Sequence, residues 1–255
     1  MAHQREVRAP PYTRISLKKF YEYYDATTDA EGWKAVEGIV GRAVEIREPP
    51  QREELVKAGR IYLAIKRILE DYKLDGFTIG CFDLIGKLKA TPPCLALAMF
   101  NAEGTPAACE GELNSLLGMM IARRFFDKPA FMGNVADYDE NHVILAHCTA
   151  PLIGRYTLRS HFESGMGVGG VAVQMPKGRA SLLKIRGRKA VVAGVEVLGG
   201  VEHSDFRCRT QVKLRVEDAI DFIDGTLGNH HLLVYVDAEE LADLLSELGF
   251  EVMLY

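Results

Sequence analysis

The spacing of apolar residues changes period part-way along the chain, and that change limits the fold more than any single motif does. From Arg52 to Lys73, Leu55, Ile61, Tyr62, Ile65, Ile68, Leu69 and Tyr72 recur at helical spacing, and Glu53 and Glu54 suit the positive end of a helix dipole. Glu112 to Phe126 repeats the pattern through Leu113, Leu116, Leu117, Met120, Ile121 and Phe125. Phe77–Phe82 and Leu95–Phe100 lie between these helices and have the length and apolarity of buried strands. Ala130–Met132 and Val143–Ala146 read as two further short strands. Helix and strand alternating in this way predict an α/β layer with a largely parallel sheet over residues 53–145. After Pro151 the rhythm shortens. Ser181–Arg186, Ala190–Val197 and Arg207–Val216 are β-rich stretches broken by glycines, as in antiparallel meanders, so residues 155–216 are expected to hold little helix. A short helix is expected at Val216–Ile223. The end reads strand, helix, strand at His231–Val236, Ala238–Leu248 and Phe250–Leu254.

Charge and composition narrow the function classes. The 255 residues carry a net charge of −4 and a pI near 6.0, which supplies no basic field for nucleic acid. The longest apolar runs, such as Cys94–Phe100, fall far short of the roughly 20 residues that a membrane-spanning helix needs. No apolar signal-peptide stretch follows Met1–Arg5. Five cysteines, an odd number without a CxxC pair, argue against a zinc ribbon or a disulfide framework. A cytoplasmic protein with reduced thiols is the expectation.

Several residues carry possible chemistry. Gly165-Met166-Gly167-Val168-Gly169-Gly170 matches the letters of a dinucleotide fingerprint, but Val171–Pro176 behind it looks like a strand ended by proline. A glycine turn between strands is expected, with no helix opening toward a phosphate. Glu110-Gly111-Glu112 sits where a loop enters a helix; its carboxylates either complement the helix N-terminus or supply a metal ligand. His147 ends an apolar strand, which suits a hydrogen-bonded core histidine as well as a ligand. His230 and His231 are adjacent on a strand and face opposite ways, so at most one of them serves a given site. One Glu and two His at strand ends are ligand types suited to Mn²⁺, Fe²⁺, Co²⁺ or Zn²⁺. Cys109 and Cys148 neighbour Glu110 and His147, and inert packing is the reading for both.

The order of these features resembles the C-terminal two-thirds of the L-fucose/L-arabinose isomerase family, over residues 53–255. Ala107-Ala108-Cys109-Glu110-Gly111-Glu112 looks like the family's acidic segment, whose first Glu is a metal ligand. Some 24 residues on the family places a second acidic ligand; here the segment is Phe131-Met132-Gly133-Asn134, so an amide stands for the acid. Leu145-Ala146-His147-Cys148 resembles a histidine strand of that site, and Gly228-Asn229-His230-His231 the segment that gives the last ligand. Ser160-His161-Phe162 and Cys208-Arg209-Thr210 also look familial.

The resemblance implies a Rossmann-like α/β layer, residues 1–147, followed by an antiparallel β-barrel-like domain, residues 148–255, without the family's further N-terminal domain. It implies a metal-dependent aldose–ketose isomerase working through a cis-enediol on a small sugar. Glu110 is then the leading ligand and a possible base, and His231 the leading imidazole ligand with His230 as its rival. His147 is a direct ligand or one that supports the ligands, and Asn134 a weak ligand or a substrate contact. The metal is expected to be Mn²⁺, since mixed oxygen and nitrogen sites with open positions suit it. Asn134 cannot act as a base, and Asp137, Asp139 or Glu112 are candidates to compensate. The family forms closed oligomers, so a homo-oligomer (trimer or hexamer) is expected. The aromatic cluster Phe20, Tyr21, Tyr23 and Tyr24 is expected to bury surface between copies. The alternatives are a catalytically reduced sugar-binding or regulatory chain and another metal-dependent sugar enzyme.

Overall fold

A computed structural model describes residues 11–46, 52–88, 91–165, 170–201, 206–226 and 228–255. The first part is a helical layer. Helices α1 (Leu17–Asp25) and α2 (Asp29–Arg42) pack on the long α3 (Arg52–Tyr72), with strand β1 (Glu45–Ile46) between α2 and α3 in the chain. A reciprocal capping box, in which Thr28 and Glu31 each accept from the other's backbone, starts α2. Gly32 and Gly59 let α2 and α3 touch: a Cβ on Gly59 would stand 1.9 Å from the Gly32 carbonyl oxygen. The aromatic cluster expected between copies is used inside the chain. Phe20 and Tyr24 are buried, Tyr21 and Tyr23 pack against the same core, and the Arg60 guanidinium lies over the Tyr24 ring.

Strand β2 (Phe77–Ile79) pairs in parallel with β3 (Ala107–Cys109), and α4 (Cys81–Leu88) and α5 (Cys94–Glu103) lie between them in the chain. Leu95–Phe100, read as a strand, is therefore helix, and so is the Cys81-Phe82 end of the run begun at Phe77. Both errors have one cause: an all-apolar run fits a buried helix as well as a buried strand. Every α5 residue from Cys94 to Asn101 is buried, and the helix is closed by Gly104 in a left-handed conformation. Among the described residues the parallel pairings of this part are the two-stranded β2–β3 ladder and that of β1 with residues 157–158, so no extended Rossmann-like sheet forms there.

Helix α6 (Leu113–Phe126) leads into the second part. Strands β4 (Ala130–Tyr138), β5 (His142–His147), β8 (Gly178–Arg186), β9 (Lys189–Gly200), β10 (Thr210–Val216) and β11 (His230–Val234) form one antiparallel sheet in the order β10-β5-β4-β11-β8-β9. Pairing of β10 with β9 closes it into a six-stranded barrel. Closure removes the sheet's open edges. β11 is the last of the six barrel strands along the chain yet sits between β4 and β8. The expected division at residue 147 coincides with the end of a barrel strand, and β4 and β5 before it pair within the same barrel.

Outside the barrel, strand β6 (Tyr156–Arg159) pairs in parallel with β1 and antiparallel with β7 (Gly170–Val173). Helices α7 (Ala219–Thr226) and α8 (Ala238–Glu247) flank the barrel, and β12 (Glu251–Leu254) adds in parallel to β9. Of the glycine run, 166–169 lie outside the described residues; Gly165 ends a turn and Gly170 opens β7. The basic run Arg5–Arg8 also lies outside them. No helix among the described residues is long and apolar enough to cross a membrane.

Candidate metal centre

Glu110 sits at the end of the β2–β3 ladder in a tight turn. Glu110 and Gly111 are both left-handed, with φ of 60° and 73°, and the Glu112 N–H donates to the Cys109 carbonyl at 3.1 Å. Two successive positive φ values closed by an i→i+3 bond are the type I′ pattern. Glycine takes this conformation freely, whereas a non-glycine residue loses about 1 kcal/mol. Gly111 N–H is further tied to the Ile79 carbonyl at 3.1 Å. The next carboxylate has a different job. Glu112 caps α6, accepting from the Asn114 and Ser115 backbone N–H groups at 3.1 and 2.7 Å. The acidic triplet thus divides into one helix cap and one carboxylate free for other partners.

Those partners are two histidines from the barrel. Glu110 Oε1 lies 3.5 Å from His147 Nε2, and Oε2 lies 3.3 Å from His230 Nε2. Both imidazole nitrogens are buried without a hydrogen-bond partner. His147 is aimed by its other nitrogen, Nδ1, which pairs with Thr149 Oγ1 at 2.9 Å. His230 is held through its backbone, since Lys184 Nζ donates to its carbonyl at 2.8 Å. Asn134 is the cross-strand partner of His230, which sets the two side chains on one side of the ladder, and its Oδ1 is also buried and unpartnered. The two imidazoles, His147 first, hold the Glu110 carboxyl well below the usual carboxylate range, although burial works the other way. About a third of the Glu110 side chain, 32%, remains open, so the site communicates with solvent.

His231 takes no part. It is fully buried, with Nδ1 against the Asn229 carbonyl at 3.1 Å, Nε2 against Thr226 Oγ1 at 3.0 Å, and the Phe222 ring beside it. Strand alternation sends the two neighbours apart, and the structure reverses the order expected for them: His230 faces Glu110 and His231 is a core residue. The residues considered as substitutes for the missing acid are also engaged elsewhere. Asp137 pairs with Arg207 at 2.9 Å, Asp139 accepts from Asn141 N–H and faces His142, and Glu112 caps its helix.

The donor set fits a divalent cation. Ligand bonds of about 2.0–2.3 Å place neighbouring ligand atoms roughly 3–3.5 Å apart, close to the two Glu110–imidazole separations. Cys109, Glu110 and His147 offer ligand atoms all within 4.8 Å of one another, a group able to hold a metal ion. Within it the thiol is the poorer donor. Cys109 is hydrogen-bonded to Cys81, and that partner together with burial pushes its thiol well up, whereas a metal binds the thiolate. His230, with a bare buried nitrogen, is the better third partner.

No protein-family model matches the chain. Sulfoquinovose isomerases of Priestia aryabhattai and Priestia megaterium are 29% identical to it over 110 residues. That stretch is 42% of this chain and only 24% of each relative's length. The likeness is therefore partial on both sides.

Thr149, Lys184 and Glu163 escaped the sequence reading, and His161 entered it only within the familial-looking segment Ser160-His161-Phe162. Thr149 stands two residues beyond His147, and only the chain's bend after β5 brings its hydroxyl onto the ring. Lys184 belongs to an unremarkable amphipathic strand, and nothing in its neighbours signals a bond to a histidine carbonyl.

Proposed function

We propose that the protein is a metal-dependent aldose–ketose isomerase of a small sugar, working through a cis-enediol, with Mn²⁺ as its metal. The observation that carries the reading is the meeting of the Glu110 carboxylate with His147 Nε2 and His230 Nε2, two buried nitrogens without a hydrogen-bond partner, with the buried, unpartnered Asn134 Oδ1 on the residue cross-strand from His230. The partial likeness to two sugar isomerases supports the same class. When bound, a dication supplies Lewis-acid polarisation of two adjacent sugar oxygens. Glu110 supplies the site's negative charge, and His147 and His230 supply neutral nitrogens. Asn134 adds an amide oxygen that can coordinate or hydrogen-bond but cannot remove a proton. A cytoplasmic homo-oligomer belongs to this proposal, and light scattering at micromolar concentration reads its size.

The test combines metal and turnover. Mn²⁺ binding is followed by EPR, and L-fucose, L-arabinose and sulfoquinovose are each incubated with the Mn²⁺-loaded protein in D2O, with deuterium at C1 and C2 read by NMR. Wild type should bind Mn²⁺ and label at least one sugar, and EDTA should stop the labelling. Glu110→Gln should weaken Mn²⁺ by more than about 100-fold, since it removes the charge of the carboxylate that faces both imidazoles. Absence of Mn²⁺ binding by wild type would sink the reading.

Asn134 favours a second reading, in which the chain binds sugar or regulates a partner without catalysis. Asn134→Asp separates the two. A site short of one carboxylate should gain Mn²⁺ affinity, about 10-fold, and turnover with it. A gain in affinity with no turnover leaves the binding role ahead.

A further inference from the structure

The isomerase reading needs a carboxylate to carry a carbon-bound proton, and the residues at the metal centre do not provide a free one. Both Glu110 oxygens face imidazoles, Asn134 is an amide, and Glu112, Asp137 and Asp139 are bonded elsewhere. One more carboxylate is brought to the same end of the barrel by the turn that follows β6. Arg209 Nε donates to the Ser160 carbonyl at 2.9 Å, and the residue after Arg209, Thr210, is the cross-strand partner of His147. The Phe162 N–H rests on the Cys148 thiol, next to His147 in the chain. These two ties hold residues 160–163 beside the β5 end that carries His147.

Within that turn His161 is built to aim its neighbour. It is buried, and its Nδ1 accepts from the Ser164 N–H at 3.2 Å, which puts the ring proton on Nε2. Nε2 faces Glu163 Oε2 at 3.6 Å. Burial, helped by the charges of His147 and Arg209, lowers the His161 pKa to about 4, so the ring stays a neutral donor. Nearly half of the Glu163 side chain, 47%, is open to solvent, unlike the buried atoms of the metal centre. Its carboxyl is raised from the ordinary value by burial and then by the charge of Glu110, the direction that favours a proton carrier near neutral pH.

We propose that Glu163, delivered by the turn after β6 and aimed by His161, is the catalytic base that moves the proton between C2 and C1 of the sugar. The inference rests on the isomerase reading and names the group that reading lacks. In the aldose-to-ketose direction a Glu163 oxygen takes the C2 proton, and the C–H electron pair becomes the C1–C2 double bond. The carbonyl π pair moves to O1, which takes the hydroxyl proton from O2. The pair left on O2 forms the new carbonyl at C2, and the double-bond pair takes the proton back from Glu163 at C1. Atoms and electrons balance, and no co-reactant is needed. His161 is a positioning residue in this scheme.

The experiment compares wild type, Glu163→Gln and Glu163→Asp in the Mn²⁺-loaded state, with the three sugars and the D2O readout above and Mn²⁺ affinity by EPR. Glu163→Gln should lower both turnover and deuterium entry at C2 by about 10²–10⁴-fold while Mn²⁺ affinity stays within about threefold, and Glu163→Asp should restore part of the loss. Glu163 is half-exposed, so a melting curve matching wild type is expected for both variants. An active wild type with an equally active Glu163→Gln overturns the role of Glu163 alone. Loss of Mn²⁺ binding in Glu163→Gln also overturns it, because the residue would then be a ligand. A wild type that binds Mn²⁺ but labels none of the sugars overturns the isomerase reading and the proton transfer with it.

Discussion

The barrel and the helical layer in front of it hold their shares of the site by different means. His147 and His230 stand on strands whose backbones are committed to antiparallel ladders on both sides, so their positions follow from a register that a one-residue slip would destroy. Glu110 stands on no strand. Its place depends on a left-handed turn, on the Gly111 bond to Ile79, and on α6 beginning at Glu112. The barrel is cooperative and redundant, whereas the turn has few supports and a backbone conformation that glycine would adopt more easily. The contrast separates the sources of stability from the placing of charge between the imidazoles: removing a histidine leaves the ladders intact, but loosening the turn displaces the Glu110 carboxylate.

The sharpest way to break this division is to strain the helical layer far from the site. Gly59→Ala should cost roughly 3 kcal/mol or more, since its methyl would collide with the Gly32 carbonyl and the helices must separate. Both layers share one buried core, so denaturant unfolding should remain a single transition at a lower midpoint. Two separated transitions, with the barrel's unmoved, would make the layers independent.

Acid should act on the barrel through His231. Burial lowers its pKa to about 4, against about 6.5 in an unfolded chain, so the unfolded state binds the proton more tightly. The stability that neutral His231 contributes is complete above pH 6.5 and lost as pH falls toward 4, on the order of 3 kcal/mol in the metal-free protein. Urea midpoints measured from pH 7 to 4 should fall across that window, and His231→Gln should flatten the curve.

A smaller effect comes from exchanging the fates of neighbours. His231→Ala should lower stability by about 2–3 kcal/mol and leave Mn²⁺ affinity of the folded protein within a few-fold, since it empties a core position and removes the ring's bonds to Thr226 Oγ1 and the Asn229 carbonyl. His230→Ala should do the reverse, with stability within about 1 kcal/mol of wild type and Mn²⁺ affinity about 10- to 100-fold weaker. Equal effects on Mn²⁺ would erase the distinction between the two faces of β11.

Much of the candidate site was legible as residue type and order, while its geometry was not. Glu110, His147 and the His230-His231 pair stood out by residue type and Asn134 through the family resemblance, but which histidine faces Glu110 depends on the register between β11 and β4, and the dipeptide carries no sign of it. The meander after Pro151 was readable because glycine breaks and β-branched runs have a local cause. Leu95–Phe100 was not, because its identity as helix is set by burial on every side and by the left-handed stop at Gly104, neither of which leaves a period in the sequence. Glu163 was invisible for the same kind of reason. What makes it relevant is a tie between Ser160 and Arg209, 49 residues away.

The late position of β11 in the chain has a kinetic consequence. β4 and β8 are not neighbours; the gap between them is filled only when residues 230–234 enter. Until then the cylinder is an open sheet with two unpaired edges, and His230 is missing from its place. Contacts this distant in sequence close slowly, because the loop entropy is lost before the ladder bonds are gained. The insertion of β11 is therefore expected to be the late event of folding, and a cation that needs His230 can recognise only chains that have completed it. Adding Mn²⁺ during refolding should slow unfolding and leave the folding rate unchanged.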